Sequence, residues 1–285
     1  MQAVCQSKNF STMKLGIINS AFDQAGVDTQ SGLENIARIG FDTVDIFTEA
    51  MTISNEEIQM IEKSCLENNL PVISLPVVAA GLIDFNDPVR EFHLNRCRKF
   101  IDLCARFEAD NLLLVLGEYI WQREVIPPEL QWKWAVENTK LLGDYAAEKG
   151  IEIALELEPF RLSLLNNIKE MTRFLDDCDH PAVKANIDIS HLVLADVSPS
   201  ELSCLKDRVA HVHISDCDGK VHGDLPPGRG VVKFMPYLQA IKELEIDGTI
   251  ALELEYSPDP NRIVEWVEEA YRETDRMMSE LDLRG

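Results

Sequence analysis

The chain has 285 residues, 46% of them hydrophobic, which is enough to bury a large core and excludes a disordered, collagen-like or coiled-coil protein. Its 27 basic and 49 acidic side chains give a formal charge of −22, which repels nucleic acid phosphates and anionic lipids. We therefore expect neither a nucleic acid nor a membrane as a partner.

Seven scattered cysteines, an odd number without a C-x-x-C pair, are typical of reduced thiols in a cytoplasmic protein. The N-terminal residues lack the basic and apolar regions of a secretory signal, and there is no run of about eighteen apolar residues. We expect a cytoplasmic protein whose residues 1–13 form a flexible N-terminal segment.

Short β-branched apolar runs alternate about eight times with longer segments of helical period. The predicted strands are residues 14–19, 43–47, 72–75, 111–116, 151–157, 183–188, 209–214 and 249–254. The predicted helices are residues 32–39, 55–68, 88–107, 129–149, 168–178, 199–205, 234–244 and 260–281.

This alternation predicts a single-domain (β/α)8 TIM barrel over residues 14–285, because no Pro/Gly/Ser-rich linker divides it. An open sheet of this size would normally carry a glycine-rich nucleotide loop after its first strand, and residues 20–23 are Ser-Ala-Phe-Asp instead. The reactive face of such a barrel is built by its longer β-to-α loops. The segment 117–134 is rich in aromatic residues, which predicts a lid over a pocket, stacking on a sugar, or packing against the rim or a partner subunit. These residues are Tyr119, Trp121, Trp132 and Trp134.

On the last four predicted strands, a period-two reading separates an apolar face from a polar one. The apolar face must meet the outer helices, so we expect the polar residues to point into the barrel. They are Glu152, Glu156 and Glu158 on the fifth strand, Asn186 and Asp188 on the sixth, His211 and His213 on the seventh, and Glu253 and Glu255 on the eighth.

Buried carboxylates are costly without positive charge, and no inward Lys or Arg is predicted at the C-terminal ends of these strands. A divalent cation bound by these carboxylates would supply the positive charge that they need. A mixed oxygen and nitrogen ligand set suits Mn²⁺, Mg²⁺, Co²⁺ or Zn²⁺ and gives no reason for iron–sulfur or copper chemistry.

Several short segments make the sequence recognisable: GIEIALE (150–156), DISH (188–191), HVHISD (211–216), HGDLPPGRG (222–230) and DGTIALE (247–253). With these segments the chain resembles the xylose-isomerase-like TIM barrels. That sugar isomerase and epimerase superfamily also contains the family-2 apurinic endonucleases (AP endonuclease family 2 type) and the ketose 3-epimerases.

The resemblance implies one divalent metal ion with four protein ligands, Glu156, Asp188, His213 and Glu253. It also places His191 at the substrate. Both glutamate strands read Leu-Glu-Leu-Glu, so Glu158 and Glu255 are an alternative ligand pair one step nearer the barrel mouth. Measured from the glycines that open the two strands, Gly150 and Gly248, the spacing of the inner pair, Glu156 and Glu253, matches the family better and favours that pair as ligands. The full set of predicted substrate-binding residues is His191, Glu158, Asp216, His222, Arg229 and Glu255.

Two departures from the family patterns limit what the resemblance implies. A DNA-repair endonuclease needs further histidine ligands from early strands, and the first 150 residues contain only His93, in a predicted helix. Ketose epimerases usually carry an Arg shortly after the strand-seven His, whereas here the loop offers Lys220, His222 and Arg229.

The implied activity is that of an isomerase or epimerase acting on a small sugar, a ketose or an aldose. Glu156 and Glu253 would be the catalytic residues, which transfer a proton through a cis-enediolate while the metal polarises the carbonyl. Loss of a β-hydroxyl from the same intermediate would make it a sugar or inosose dehydratase or lyase. A metal-dependent hydrolase and a non-catalytic sugar-binding protein are further alternatives. The particular sugar and association into a homo-oligomer are left open.

Overall fold

The computed structural model of the protein describes residues 12–121 and 125–285. Eight parallel strands form a closed barrel in sequential order, with the first pairing to both the second and the eighth. They are β1 (Lys14–Ile18), β2 (Thr43–Asp45), β3 (Val72–Val78), β4 (Asn111–Val115), β5 (Glu152–Leu155), β6 (Val183–Asp188), β7 (Val209–Ile214) and β8 (Thr249–Leu252). The predicted TIM barrel is therefore confirmed.

Helices surround the barrel and connect its strands. They are α1 (Ser20–Gln24), α2 (Thr29–Ile39), α3 (Asn55–Glu67), α4 (Asp87–Arg106), α5 (Pro128–Ala147), α6 (Ile168–Cys178), α7 (Ile189–Leu194), α8 (Phe234–Glu243) and α9 (Ile263–Glu280). Short 3₁₀ segments cover Ala80–Ile83, Pro199–Leu205 and Pro260–Arg262. Helices α1 and α7 were not predicted, because five or six residues are too few to display a helical hydrophobic period.

The hydrophobic core lies between the strands and the surrounding helices. Ile153 and Leu155 of β5, on the face predicted to point outward, are completely buried in it. Small polar side chains are buried near the N-terminal ends of the strands, among them Thr43, Asn111 and Thr249. A Cβ added to Gly16 would lie 2.4 Å from Thr43 Oγ1 and 2.8 Å from Thr249 Cγ2, so only glycine fits at this point of closest approach.

The predicted flexible segment, residues 1–13, falls mainly outside the described residues. Met13 is described and is buried, and its backbone N–H donates to the Leu283 carbonyl at 2.6 Å. Within the described ranges, no helix has both the length and the apolar character needed to cross a bilayer. The six described cysteines are free thiols, five of them buried, whereas Cys5 lies outside the described residues.

Candidate metal centre and active site

The four predicted metal ligands meet inside the barrel at the C-terminal ends of the strands. Asp188 ends β6 and His213 lies one residue before the end of β7, while Glu156 and Glu253 immediately follow β5 and β8. His213 Nδ1 is 2.9 Å from Glu253 Oε2 and 3.9 Å from Glu156 Oε2. One ligand atom each of Asp188, His213 and Glu253 lies within 4.8 Å of the others. These distances place the side chains around a common point.

The chemistry of this cluster fits a divalent cation. Asp188 Oδ1 accepts hydrogen bonds from Ser190 Oγ and the His191 backbone N–H, but its buried Oδ2 has no hydrogen-bond partner among the described residues. Burial lowers the pKa of His213, yet Glu253 and Asp45 outweigh burial and raise it well above its ordinary value. The surrounding carboxylates thus favour positive charge at this point, where an unpaired carboxylate oxygen is also available as a ligand.

Glu156 is held in place by two neighbours. Asn186 of β6 donates to its Oε2 at 2.5 Å, and His191 Nδ1 lies 3.2 Å from its Oε1. The carboxylate is almost fully buried. The sequence predicted that Asn186 points inward but gave it no role, and the structure places its amide where it orients the Glu156 carboxylate.

Asp45, at the end of β2, was not predicted as a site residue. Its Oδ2 accepts from His211 Nε2 at 2.8 Å and lies 3.4 Å from His213 Nε2, and all three side chains are fully buried. With Nε2 directed at Asp45, His213 presents Nδ1 to the glutamates, as a metal-binding imidazole held by a carboxylate would do. In the sequence, Asp45 could have been recognised as an acidic residue at the end of a short apolar strand.

We expect Asp45→Asn to weaken Mn²⁺ binding by about 10- to 100-fold, because the amide holds the His213 ring less firmly and makes it a poorer ligand. Equilibrium metal titration of the purified protein would measure this. Asp42→Asn is a matched control, since Asp42 precedes the same strand at the opposite end of the barrel and pairs with Arg284. Unchanged Mn²⁺ affinity in Asp45→Asn would contradict the orienting role of Asp45.

A second polar layer lies next to the four ligands. The Nε2 atoms of His191 and His222 are 2.6 Å apart, so one ring donates a hydrogen bond and the other accepts it. One ligand atom of Glu158 lies within 4.8 Å of ring nitrogens of both histidines. Glu255, which accepts from Gln24 at 3.0 Å, also approaches His222. Four of the predicted substrate-binding residues are therefore brought together here.

Burial raises the pKa of two carboxyl groups in this layer. The pKa of Glu158 rises to about 7, where burial is opposed by His191 and reinforced by Glu156. Asp224 was not predicted as a site residue, although it lies within the matched HGD segment. Burial, together with repulsion from Glu253 and Asp188, raises its pKa to about 9, and Ser215 Oγ donates to its Oδ1 at 3.0 Å.

Asp216 was predicted to bind substrate, but its carboxylate is engaged by its own loop. Its carboxylate accepts four backbone N–H groups of its own loop, at 2.8 to 3.0 Å, from Cys217, Gly228, Gly230 and Val232. These bonds leave the side chain buried inside the loop. The loop folds back on Asp216, and the sequence pattern did not reveal this.

Arg229 is also placed elsewhere than predicted. Its guanidinium forms a bidentate ion pair with Glu269 of α9, with both N···O distances at 2.7 Å. It also stacks on the Trp266 ring at 4.2 Å. Because α9 supplies both a carboxylate and an aromatic face, the Arg229 side chain is held at that helix.

The aromatic residues after β4 have divided roles. Trp132 donates to Asp177 at 2.7 Å and packs on Phe174, and Trp134 lies beneath the Arg90 guanidinium. Both tryptophans, on α5, therefore pack against neighbouring helices, α6 and α4. Tyr119, by contrast, lines an open cavity on the catalytic face.

Histidine and carboxylate side chains converge at the C-terminal ends of the strands, where (β/α)8 barrel enzymes have their active sites. The sequence matches the family model of the xylose isomerase-like TIM barrel over residues 33–279. The chain belongs to this family, which confirms the resemblance predicted from the sequence.

Several known proteins are similar to the chain in sequence or in fold. D-psicose 3-epimerase of Ruminiclostridium cellulolyticum is 24% identical over 250 residues, which are 85% of this chain and 83% of that protein. The crystal structure of D-allulose 3-epimerase from Methylomonas sp. in complex with D-allulose has a TM-score of 0.79 at 21% identity, covering 94% of this chain and 98% of that chain. The crystal structure of IOLI protein with a binding zinc atom has a TM-score of 0.83 at 17% identity, covering 94% and 99%.

Proposed function

We propose that the protein is a divalent-metal-dependent isomerase or epimerase acting on a small sugar, a ketose or an aldose. The observation that carries this proposal is the convergence of Glu156, Asp188, His213 and Glu253, with a buried oxygen of Asp188 unpaired among the described residues. Family membership and the similarity to D-psicose 3-epimerase support it.

The same four residues would hold one ion, for which Mn²⁺, Mg²⁺, Co²⁺ and Zn²⁺ are the candidates. When bound, the ion supplies Lewis-acid polarisation of the sugar carbonyl, which acidifies the adjacent C–H group. We assign the ligand role to Glu156 and Glu253 in preference to Glu158 and Glu255. The inner pair faces His213, whereas Glu158 and Glu255 belong to the layer around His222.

Glu156 and Glu253 are the proposed acid and base. Both carboxylates approach the same nitrogen of His213, so they flank one small space from two strands that lie on either side of β6 and β7. One carboxylate removes the proton next to the carbonyl, and the other delivers a proton to the resulting cis-enediolate. Delivery to the opposite face of the same carbon gives epimerisation, and delivery to the neighbouring carbon gives isomerisation.

The second polar layer is the proposed site for the sugar hydroxyls. His191, His222, Glu158 and Glu255 offer donors and acceptors close to Glu156, and such groups fix the orientation of a polyhydroxylated chain. A neutral sugar is favoured over a sugar phosphate, because Arg229 is engaged with Glu269 and the chain carries a formal charge of −22. A cytoplasmic location stays a prediction from the cysteine pattern.

Incubation with Mn²⁺ in deuterated water and a panel of ketohexoses, ketopentoses, inososes and hydroxypyruvate tests the reaction class. We expect deuterium at the carbon next to the carbonyl of at least one of these compounds, detected by NMR and mass spectrometry. Loss of water from an inosose would assign the protein as a dehydratase. No exchange in any compound, with metal bound, would contradict the proposal in favour of a hydrolase or a sugar-binding protein.

A further inference from the structure

A cavity of about 790 Å³ opens between the loops that follow β3, β4 and β5. Its lining is mainly apolar and includes Val78, Ile83, Val115, Tyr119, Ile120 and Phe160. Three of these side chains are substantially exposed to solvent, Val78 by 56%, Ile120 by 39% and Phe160 by 42%. Apolar side chains left open in a concave site of this size are typical of a ligand-binding pocket.

The cavity lies beside the proposed active site. Glu158 lines it, and the same residue has a carboxylate oxygen within 4.8 Å of ring nitrogens of His191 and His222. Phe160, on the cavity wall, lies with its ring centroid 5.7 Å from that of His222. His191 in turn contacts Glu156 at 3.2 Å. His191 therefore links the cavity wall at Glu158 to the proposed catalytic carboxylate.

The size and charge of the cavity indicate which class of ligand fits it. A volume of about 790 Å³ lies in the range of roughly 300–1,000 Å³ found for sites that bind drug-sized ligands. A bare sugar offers only the C–H groups between its hydroxyls to such a wall. Among the described lining residues there are three carboxylates, Asp84, Glu118 and Glu158, and no Lys or Arg. This lining disfavours an anionic group.

We propose that the substrate is a sugar conjugate, in which a terminal carbon of the sugar carries an apolar, non-anionic group. That group occupies the cavity while the reacting carbons of the sugar lie at Glu156 and Glu253. This inference rests on the proposed function and names the substrate class of the same site.

Binding of unreactive analogues tests the cavity separately from turnover. The probes are D-mannitol, whose two ends are equivalent, and its 1-O-benzyl ether, titrated calorimetrically into the Mn²⁺-loaded protein. We expect the benzyl ether to bind about ten- to a hundredfold more tightly, because its ring leaves water for an apolar wall. A 4-carboxybenzyl ether should lose most of this gain. Equal affinities for D-mannitol and its benzyl ether would overturn the assignment, and the wall would then be explained by a covering protein surface.

Substitutions on the cavity wall test whether the benzyl group binds in the cavity. Val78→Glu places a carboxylate on the cavity wall, and the ratio of the two dissociation constants should fall close to one. Ile120→Ser should reduce the same ratio by removing apolar wall without adding charge. Leu66→Glu is the matched control, since Leu66 lies on α3 outside the lining and is 83% exposed. An undiminished ratio in both wall variants would overturn the proposal.

The deuterium exchange experiment distinguishes this inference from the proposed function. Exchange in bare ketoses, together with equal affinities for the two mannitol probes, would overturn the conjugate assignment and leave the proposed function standing. Tight binding of the benzyl ether that is lost in Val78→Glu supports the cavity assignment even where exchange fails in every bare sugar of the panel. Exchange is then measured in 6-O-benzyl-D-fructose, a ketose that carries the same apolar group on a terminal carbon. No exchange in this compound counts against the isomerase or epimerase chemistry alone.

Discussion

Replacing Glu156 or Glu253 by Gln should reduce deuterium exchange by at least about a hundredfold while the protein stays folded. Each amide keeps the shape of the side chain but cannot accept the substrate proton, and general acid–base catalysis typically contributes about 10²- to 10⁴-fold. The measurement is the exchange rate under saturating Mn²⁺, with circular dichroism and thermal unfolding as checks on the fold.

Glu158→Gln and Glu255→Gln are the matched controls for this experiment, because each lies two residues further along the chain from its inner counterpart. We expect these two variants mainly to raise KM, since we place both side chains among the groups that bind the sugar hydroxyls. The opposite pattern, with turnover lost in Glu158→Gln and Glu255→Gln but retained in the inner pair, would show that the outer pair carries the chemistry.

Replacing a predicted metal ligand should have a second large effect, on the metal content of the protein. The wild-type protein should hold close to one divalent ion per chain. Asp188→Ala or His213→Ala should lower metal affinity by more than about a hundredfold, because removing a direct ligand costs more than the 10- to 100-fold typical of an outer-shell change. Elemental analysis after dialysis against buffered Mn²⁺ would measure the occupancy.

His180→Ala is a suitable control for the histidine variant. His180 lies just after α6, where it contacts Asp144 at 3.2 Å, and it belongs to none of the clusters around the barrel mouth. Its replacement should leave metal content unchanged. A wild-type protein without metal, and with exchange that is indifferent to a chelator, would rule out the metal centre.

Much of the site follows from local periodicity. Alternate side chains of a strand point to opposite faces, so the apolar residues of β5 and β8 had to face the helices and their glutamates had to face the barrel interior. The same argument places Asp188 and His213 inside, and the structure brings all four predicted ligands to one point. The positions of the strands and of the long helices were likewise predictable, because each carries its own hydrophobic period, whereas the strand ends differ from the predicted ones by up to three residues.

The contacts that tertiary structure alone decided join residues far apart in the chain or inside one folded loop. Asp45 meets His211 across 166 positions because closure of the barrel brings β2 near β7, and strand periodicity contains no information about that distance. Asp216 is enclosed by its own loop, and Arg229 is drawn to Glu269 on α9. The sequence by itself thus determined which residue types face the barrel interior, through the covalent geometry of each strand. Which of them orient a ligand, organise a loop or line a cavity was decided by closure and packing, since these contacts depend on segments that only the folded chain brings together.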